Sequence, residues 1–155
     1  MERKDVGFIH RCRVRWADLD PQDIVFNPNY FVFFDTAFND YMHAIGYPLR
    51  QGLANDGADM LAVRAEAEFR GSARLDDNLD IGVAAIRLGR SSMEFAFPLW
   101  HGDRLLVLGR ITYVTVGLQD RRPRPLPSGF VAGIRRLQVA PLPETAGRAA
   151  ERAEA

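Results

Sequence analysis

The segment Tyr30 to Gly46 constrains this chain most. Its residues Phe33, Phe34, Ala37, Phe38, Tyr41, Met42 and Ile45 recur every three or four positions, the spacing of one face of an α-helix. That face is wide and aromatic, so the helix must be deeply buried. Asp35, Asn39 and His43 repeat every four residues and form a polar stripe, and Gly46 and Pro48 are stop signals. A helix this apolar needs a sheet curved around it.

The rest of the chain supplies the strands. Phe8 to Trp16 alternates, with Arg11 and Arg13 on a wet face. After a loop over Gln51 to Asp59, the run Met60 to Phe69 alternates as well. Leu61, Val63, Ala65, Ala67 and Phe69 fall on one side, and Arg64, Glu66 and Glu68 on the other. Leu79 to Leu88, Ser92 to Trp100 and Leu105 to Val116 follow, separated by turns short enough for an antiparallel meander. The strand after the helix is expected to continue into that meander. Ser128 to Leu137 reads as a short helix capped by Ser128. From Pro141 on, an Ala/Glu/Arg-rich tail has no apolar periodicity and is expected to fray. The expected fold class is α+β: one long central helix wrapped by a curved antiparallel sheet of about five strands. The 155 residues, 47% of them hydrophobic, suit a single domain over 1–140 with a flexible tail over 141–155.

Several function classes are disfavoured. Net charge is zero, which gives no electrostatic case for nucleic acid. No apolar run approaches the length of a membrane span. The charged N-terminus, MERKDVGF, does not resemble a signal peptide, and Cys12 is the single cysteine, so a cytoplasmic location is expected. His10, His43 and His101 lack metal-ligand spacing, and no metal or separate cofactor is expected. Ser91 and Ser92 lack the G-x-S-x-G setting of a serine nucleophile. Charge is uneven, however. Asp18 to Asp80 holds 12 acids and 4 Arg, a net of −8, so the remainder nets +8. Arginine pairs well with phosphate, so a phosphorylated ligand is conceivable.

Directly before the long helix lies Asp18 to Tyr30, D-L-D-P-Q-D-I-V-F-N-P-N-Y. Acids with Asn and Pro mark a helix start. A carboxylate beside a helix N-terminus is also a candidate base or nucleophile. On composition alone, a turn or capping role for Asp20 is the favoured reading, and Asp18 reads as structural.

The same string resembles the signature of hotdog-fold acyl-CoA thioesterases of the 4-hydroxybenzoyl-CoA thioesterase type, D-x-D-P-x-G-I-V-(aromatic)-x-P-N-Y followed by a helix. The resemblance continues through FRGSARLDDNLDI, with Asp77 at the family's acid position, through RLGRSS and RPRPLP, and covers about residues 8 to 137. It implies that Asp20 is the catalytic carboxylate, acting as nucleophile or general base on a thioester. It also implies that backbone N–H groups between Phe26 and Asn29, around Asn27, form the oxyanion hole. Phe26, Tyr30, Asp35, Asp59, Met60, Leu61, Arg90 and Ser92 are the implied substrate-binding positions. The implied partners are an acyl-CoA substrate with an aromatic or short-to-medium acyl group, and further copies of the chain. The implied assembly is a dimer or tetramer with the site at a subunit interface, where Asp59 to Leu61 of a second copy face Asp20. Coenzyme A enters only as part of the substrate. Arg70, Arg74, Arg87, Arg90 and Arg124 are candidates for its phosphates.

Two positions depart from the family pattern. Asp23 stands where relatives have Gly, and Asn27 where many have Tyr or His. A hotdog hydratase would need His five residues after an Asp, and this chain has Val25 and Asp23 at those places. The alternative in a different class is a non-catalytic acyl-CoA-binding or scaffolding hotdog protein.

Overall fold

The computed structural model describes residues 1–143. The tail expected to fray lies mostly outside them, although Leu142 packs partly buried against the core. In chain order the elements are β1 (Phe8–Arg13), α1 (Asn29–Ala44), a one-turn α2 (Gly52–Asn55), β2 (Ala58–Phe69), β3 (Asn78–Leu88), β4 (Ser92–His101), β5 (Arg104–Gly117) and α3 (Ser128–Leu137). All five strands form one antiparallel sheet in the order β1-β3-β4-β5-β2.

The sheet wraps α1 as the helix pattern requires. Tyr30, Phe33, Phe34, Ala37, Phe38, Tyr41 and Met42 are all buried. They face Leu79, Ile81, Val83 and Ala85 of β3 and Met93, Phe95, Phe97 and Leu99 of β4, every second residue along each strand. The Phe38 ring stacks on Tyr113 at 4.8 Å, and Phe34 stacks on Phe97 at 5.4 Å. Gly109 has no side chain because the Phe34 ring occupies that space: a Cβ there would lie 2.4 Å from the ring. α3 closes the far end of the core. Its Phe130 packs edge-on against Tyr47 at 5.3 Å, and Gly133 lies against the Ile45 carbonyl.

Five expectations need correction. The strand after the helix does not continue the meander; β2 crosses to the opposite edge and pairs with β5. Turn lengths constrain neighbours only across short connections, and the 70–77 segment between β2 and β3 is long enough to cross the sheet. The strict alternation along β2 also fails. The register slips at Val63, and this bulge reverses which side each residue faces. Met60 and Ala67, seven residues apart, therefore both pack toward the core, and Leu61 is exposed. β1 stops at Arg13, and Trp16 lies in a 3-10 turn with 76% of its surface exposed. Pro127, not Ser128, occupies the cap of α3, with no side-chain capping bond. The loop expected over Gln51 to Asp59 instead holds α2 and the first residues of β2.

Candidate active site

Asp18 to Asn29 forms a loop strapped to the body at several points. Leu19 and Val25 make an antiparallel bridge. Inside it, Asp23 N–H donates to the Asp20 carbonyl at 3.0 Å, and Asp20 N–H donates to the Ile24 carbonyl at 2.9 Å. Asp23 closes this turn with φ 58°, the left-handed region. Glycine adopts that conformation freely, and Asp is among the few other residues that tolerate it. Asp23 thus meets the backbone requirement of this turn without a glycine.

The Asp20 carboxylate is partly exposed. Its Oδ1 accepts the Gln22 N–H at 2.7 Å, an Asx turn that sets the side-chain direction. No described group donates to Oδ2, which is left for a ligand or water. Asp18 differs in kind. It is 5% exposed, accepts the Arg15 N–H at 2.8 Å and takes two further bonds from the Arg15 guanidinium. Burial works to raise its pKa, but the Arg15 hydrogen bonds and charge together outweigh it and hold the carboxyl below the usual range. The Asp18 carbonyl accepts Phe26 N–H and Asn29 Nδ2, both at 3.0 Å, so Asp18 and Asn29 stitch the loop to the helix start.

The acids do not lie in the first turn of α1; they sit in the loop before it, and the helix is capped by Pro28. Of the backbone N–H groups between Phe26 and Asn29, Phe26 donates to Asp18 and Asn29 donates to the Phe26 carbonyl at 2.8 Å. Pro28 has none. The Asn27 N–H is the one with no acceptor among the described residues. Tyr30 lies behind this edge. Its ring is 2% exposed and its hydroxyl accepts the Ala73 N–H at 3.0 Å, while Ala73 in turn accepts the Val25 N–H. Burial pushes the Tyr30 pKa up, with the Ala73 bond opposing. Phe26 is half-exposed beside the loop, and Asp35 is exposed one turn along α1.

The other expected site residues gather elsewhere. Leu61 and Ser92 both lie opposite Val114, and Met60 opposite Thr115. Asp59 is held by Arg121 at 2.6 Å; that bond, first, and the Met60 N–H lower its pKa against partial burial. Ser92 accepts a 3.3 Å bond from Arg87. Arg90 is exposed, and no described residue pairs with its guanidinium. The helix start belongs to the opposite end of the sheet, because Tyr30 packs on Phe69, which pairs with Val107. From Val107 to Thr115 is roughly 25 Å at about 3.3 Å per residue. Within one chain, then, Asp20, Phe26, Asn27 and Tyr30 form one group. Asp59, Met60, Leu61, Arg90 and Ser92 form another at the far end.

Of the five candidate arginines, Arg70 pairs with Glu68, Arg87 with Glu94, and Arg124 with Asp120. Arg74 and Arg90 have guanidiniums unpaired among the described residues. Reading the sequence missed Ser72 and the Ala73 backbone; the fold brings Ala73 against Tyr30 at the helix start, and no local spacing marks either residue.

The Thioesterase superfamily model matches residues 22–108, more than half of the chain. The chain belongs to that superfamily. Among curated proteins, a putative esterase of Aquifex aeolicus is 26% identical over 62% of this chain and 74% of its own length. The 1,4-dihydroxy-2-naphthoyl-CoA hydrolase of Thermosynechococcus vestitus is 25% identical over 79% and 84%. Among solved structures, a thioesterase of Thermus thermophilus, determined with coenzyme A and Zn, superposes with a TM-score of 0.75. It is 27% identical over 89% of this chain and 98% of that one. The architecture is the hotdog fold of this superfamily, and the chain is a thioesterase. No helix among the described residues is long and apolar enough to cross a membrane.

Proposed function

We propose that this thioesterase hydrolyses an acyl-CoA with Asp20 as nucleophile or general base and the Asn27 N–H as oxyanion donor. The observation that carries this reading is the pairing of a half-free carboxylate with an unspent backbone N–H on one strapped loop. A donor at a helix start carries positive partial charge and has no partner to give up, so it stabilises a developing oxyanion without rearrangement. Asp20, aimed by the Gln22 N–H, either attacks the thioester carbonyl or takes a proton from an attacking water; the thiol of coenzyme A leaves. The reading needs no cofactor besides the coenzyme A carried by the substrate. The names of the Thermosynechococcus relative and the coenzyme A held by the Thermus structure support the substrate class.

The second group of residues joins the site in a homo-oligomer. β2 is a sheet edge, paired with β5 on one side and with no strand among the described residues on the other, and it exposes Leu61, Val63 and Phe69. An open apolar edge is a pairing surface. A two-fold related copy pairing β2 antiparallel to β2 would place its residue 60 region beside Phe69 of the first, next to the helix start. Asp59, Met60 and Leu61 of the second copy would then face Asp20, and Arg90 and Ser92 would follow on the same end. A thiol-release assay over a panel of acyl-CoA esters tests the chemistry. Asp20→Asn keeps the Oδ1 acceptor and should lower kcat by 100-fold or more, on the order of losing a nucleophile or general base. Hydrolysis at the parental rate by the folded variant would refute the assignment.

A further inference from the structure

Ala73 is fully buried where it meets Tyr30 and Val25, and its neighbours Ser72 and Arg74 face out. On that outer side lies a recess of about 480 Å³ lined by Ser72, Arg74, Asp77, His101, Arg104 and Leu106. It sits where the β4–β5 turn meets the 71–77 segment, at the Asp20 end of the sheet.

The charges in this recess are not balanced internally. The guanidiniums of Arg74 and Arg104 have no acid or hydrogen-bond acceptor among the described residues. Of the neighbouring acids, Asp77, Asp76 and Glu68 are already engaged, and Asp103, next to Arg104 in the chain, is exposed and does not line the recess. Asp77 Oδ2 accepts the Arg74 N–H at 2.8 Å and lies 3.2 Å from His101 Nδ1, and Asp76 pairs with Arg13 at 3.5 Å. Glu68 is bound to Arg70 at 2.7 Å. The recess therefore offers two guanidinium forks and the Ser72 hydroxyl, with Leu106 as an apolar wall. Two forks present more donors than the two oxygens of a carboxylate can use, and they suit the multiple oxygens of phosphate.

We propose that the Arg74–Arg104 recess binds a phosphate-bearing ligand. Its source is either the phosphorylated nucleotide of a CoA substrate or a separate phosphorylated metabolite. Within one chain the recess is separate from Asp59, Arg90 and Ser92, which lie at the other end of the sheet.

Calorimetric titration of the intact protein with inorganic pyrophosphate tests the site itself and requires no thioesterase activity. It therefore separates failure of this proposal from failure of the catalytic reading. Saturable binding is expected for the parent and for Arg50→Gln, an exposed arginine in the loop after α1. The double variant Arg74→Gln, Arg104→Gln should bind at least tenfold more weakly, on the order of losing charge-assisted hydrogen bonds. Both side chains are exposed, so an unchanged unfolding midpoint confirms that the variant folds. Thiol release then distinguishes the sources. If the nucleotide is bound here, the double variant raises KM about tenfold for an acyl-CoA, leaving kcat and the KM for the matching acyl-pantetheine unchanged. If a separate metabolite is bound, both KM values stay parental although pyrophosphate binding is lost. Equal pyrophosphate affinity in parent and double variant, or no saturable binding by the parent, overturns the proposal.

Discussion

Replacing Tyr30 by Phe removes one oxygen from the support of the helix start and changes little else. The hydroxyl accepts the Ala73 N–H at 3.0 Å, and Ala73 is fully buried, so neither water nor another described acceptor can take over. The Phe ring keeps the packing on Phe33 at 6.2 Å and on Phe69 at 5.6 Å. The change is therefore one orphaned buried donor, a cost of about 1–3 kcal/mol. With a urea m-value of about 2 kcal/mol/M for a chain this size, the midpoint should fall by about 1 M at unchanged m. Tyr41→Phe is the matched control. Tyr41 is equally buried, but its hydroxyl has no hydrogen-bond partner among the described residues, so its midpoint should move by less than about 0.3 M. Both comparisons are made at one protein concentration, because association contributes to apparent stability. A Tyr30→Phe midpoint equal to the parent's, or a Tyr41→Phe loss of the same size, would show that the Ala73 bond does not hold this edge.

Gly109→Ala should destabilise the fold by about 1–3 kcal/mol in thermal or urea unfolding, because its Cβ would meet the Phe34 ring at 2.4 Å and both belong to packed elements. Val63→Glu, on the exposed bulge of β2, should shift the sedimentation coefficient toward the monomer and lower thiol release in parallel; an unchanged oligomer with full activity would remove β2 from the interface. Asp18 has a folded pKa held below its unfolded value, so its contribution is complete above about pH 4 and fades as pH falls through the folded pKa. Asp18→Asn should thus cost about 1 kcal/mol at pH 7, and its unfolding midpoint should converge on the parent's near the acid limit. A loss that stays constant from pH 7 down past the carboxylate range would contradict that linkage.

Much of this architecture is local and therefore legible. The 3.6-residue period of Phe33, Phe34, Ala37, Phe38 and Tyr41 requires a buried helix whatever surrounds it, and short turns at Gly89 and Gly102 make β3, β4 and β5 neighbours. The D-L-D-P string marks the loop that carries Asp20, and the order of motifs around it marks the family. Tertiary structure decided the rest. Which edge β2 occupies depends on a long crossover, for which no local rule exists. The bulge at Val63 inverts a face that strict alternation would assign to the core, because one extra residue in a pleated strand exchanges its two sides. Register likewise sets the Tyr30 end of the sheet roughly 25 Å from the end that carries Asp59 and Ser92 within one chain, so the site proposed above needs a second copy to bring the two groups together. It also brings Arg104 beside Arg74, thirty positions earlier in the chain. The sequence marks which residues of the loop are candidates for its chemistry. Only the folded sheet determines which of them can meet, because strand pairing joins positions whose distance along the chain says nothing of their distance in space.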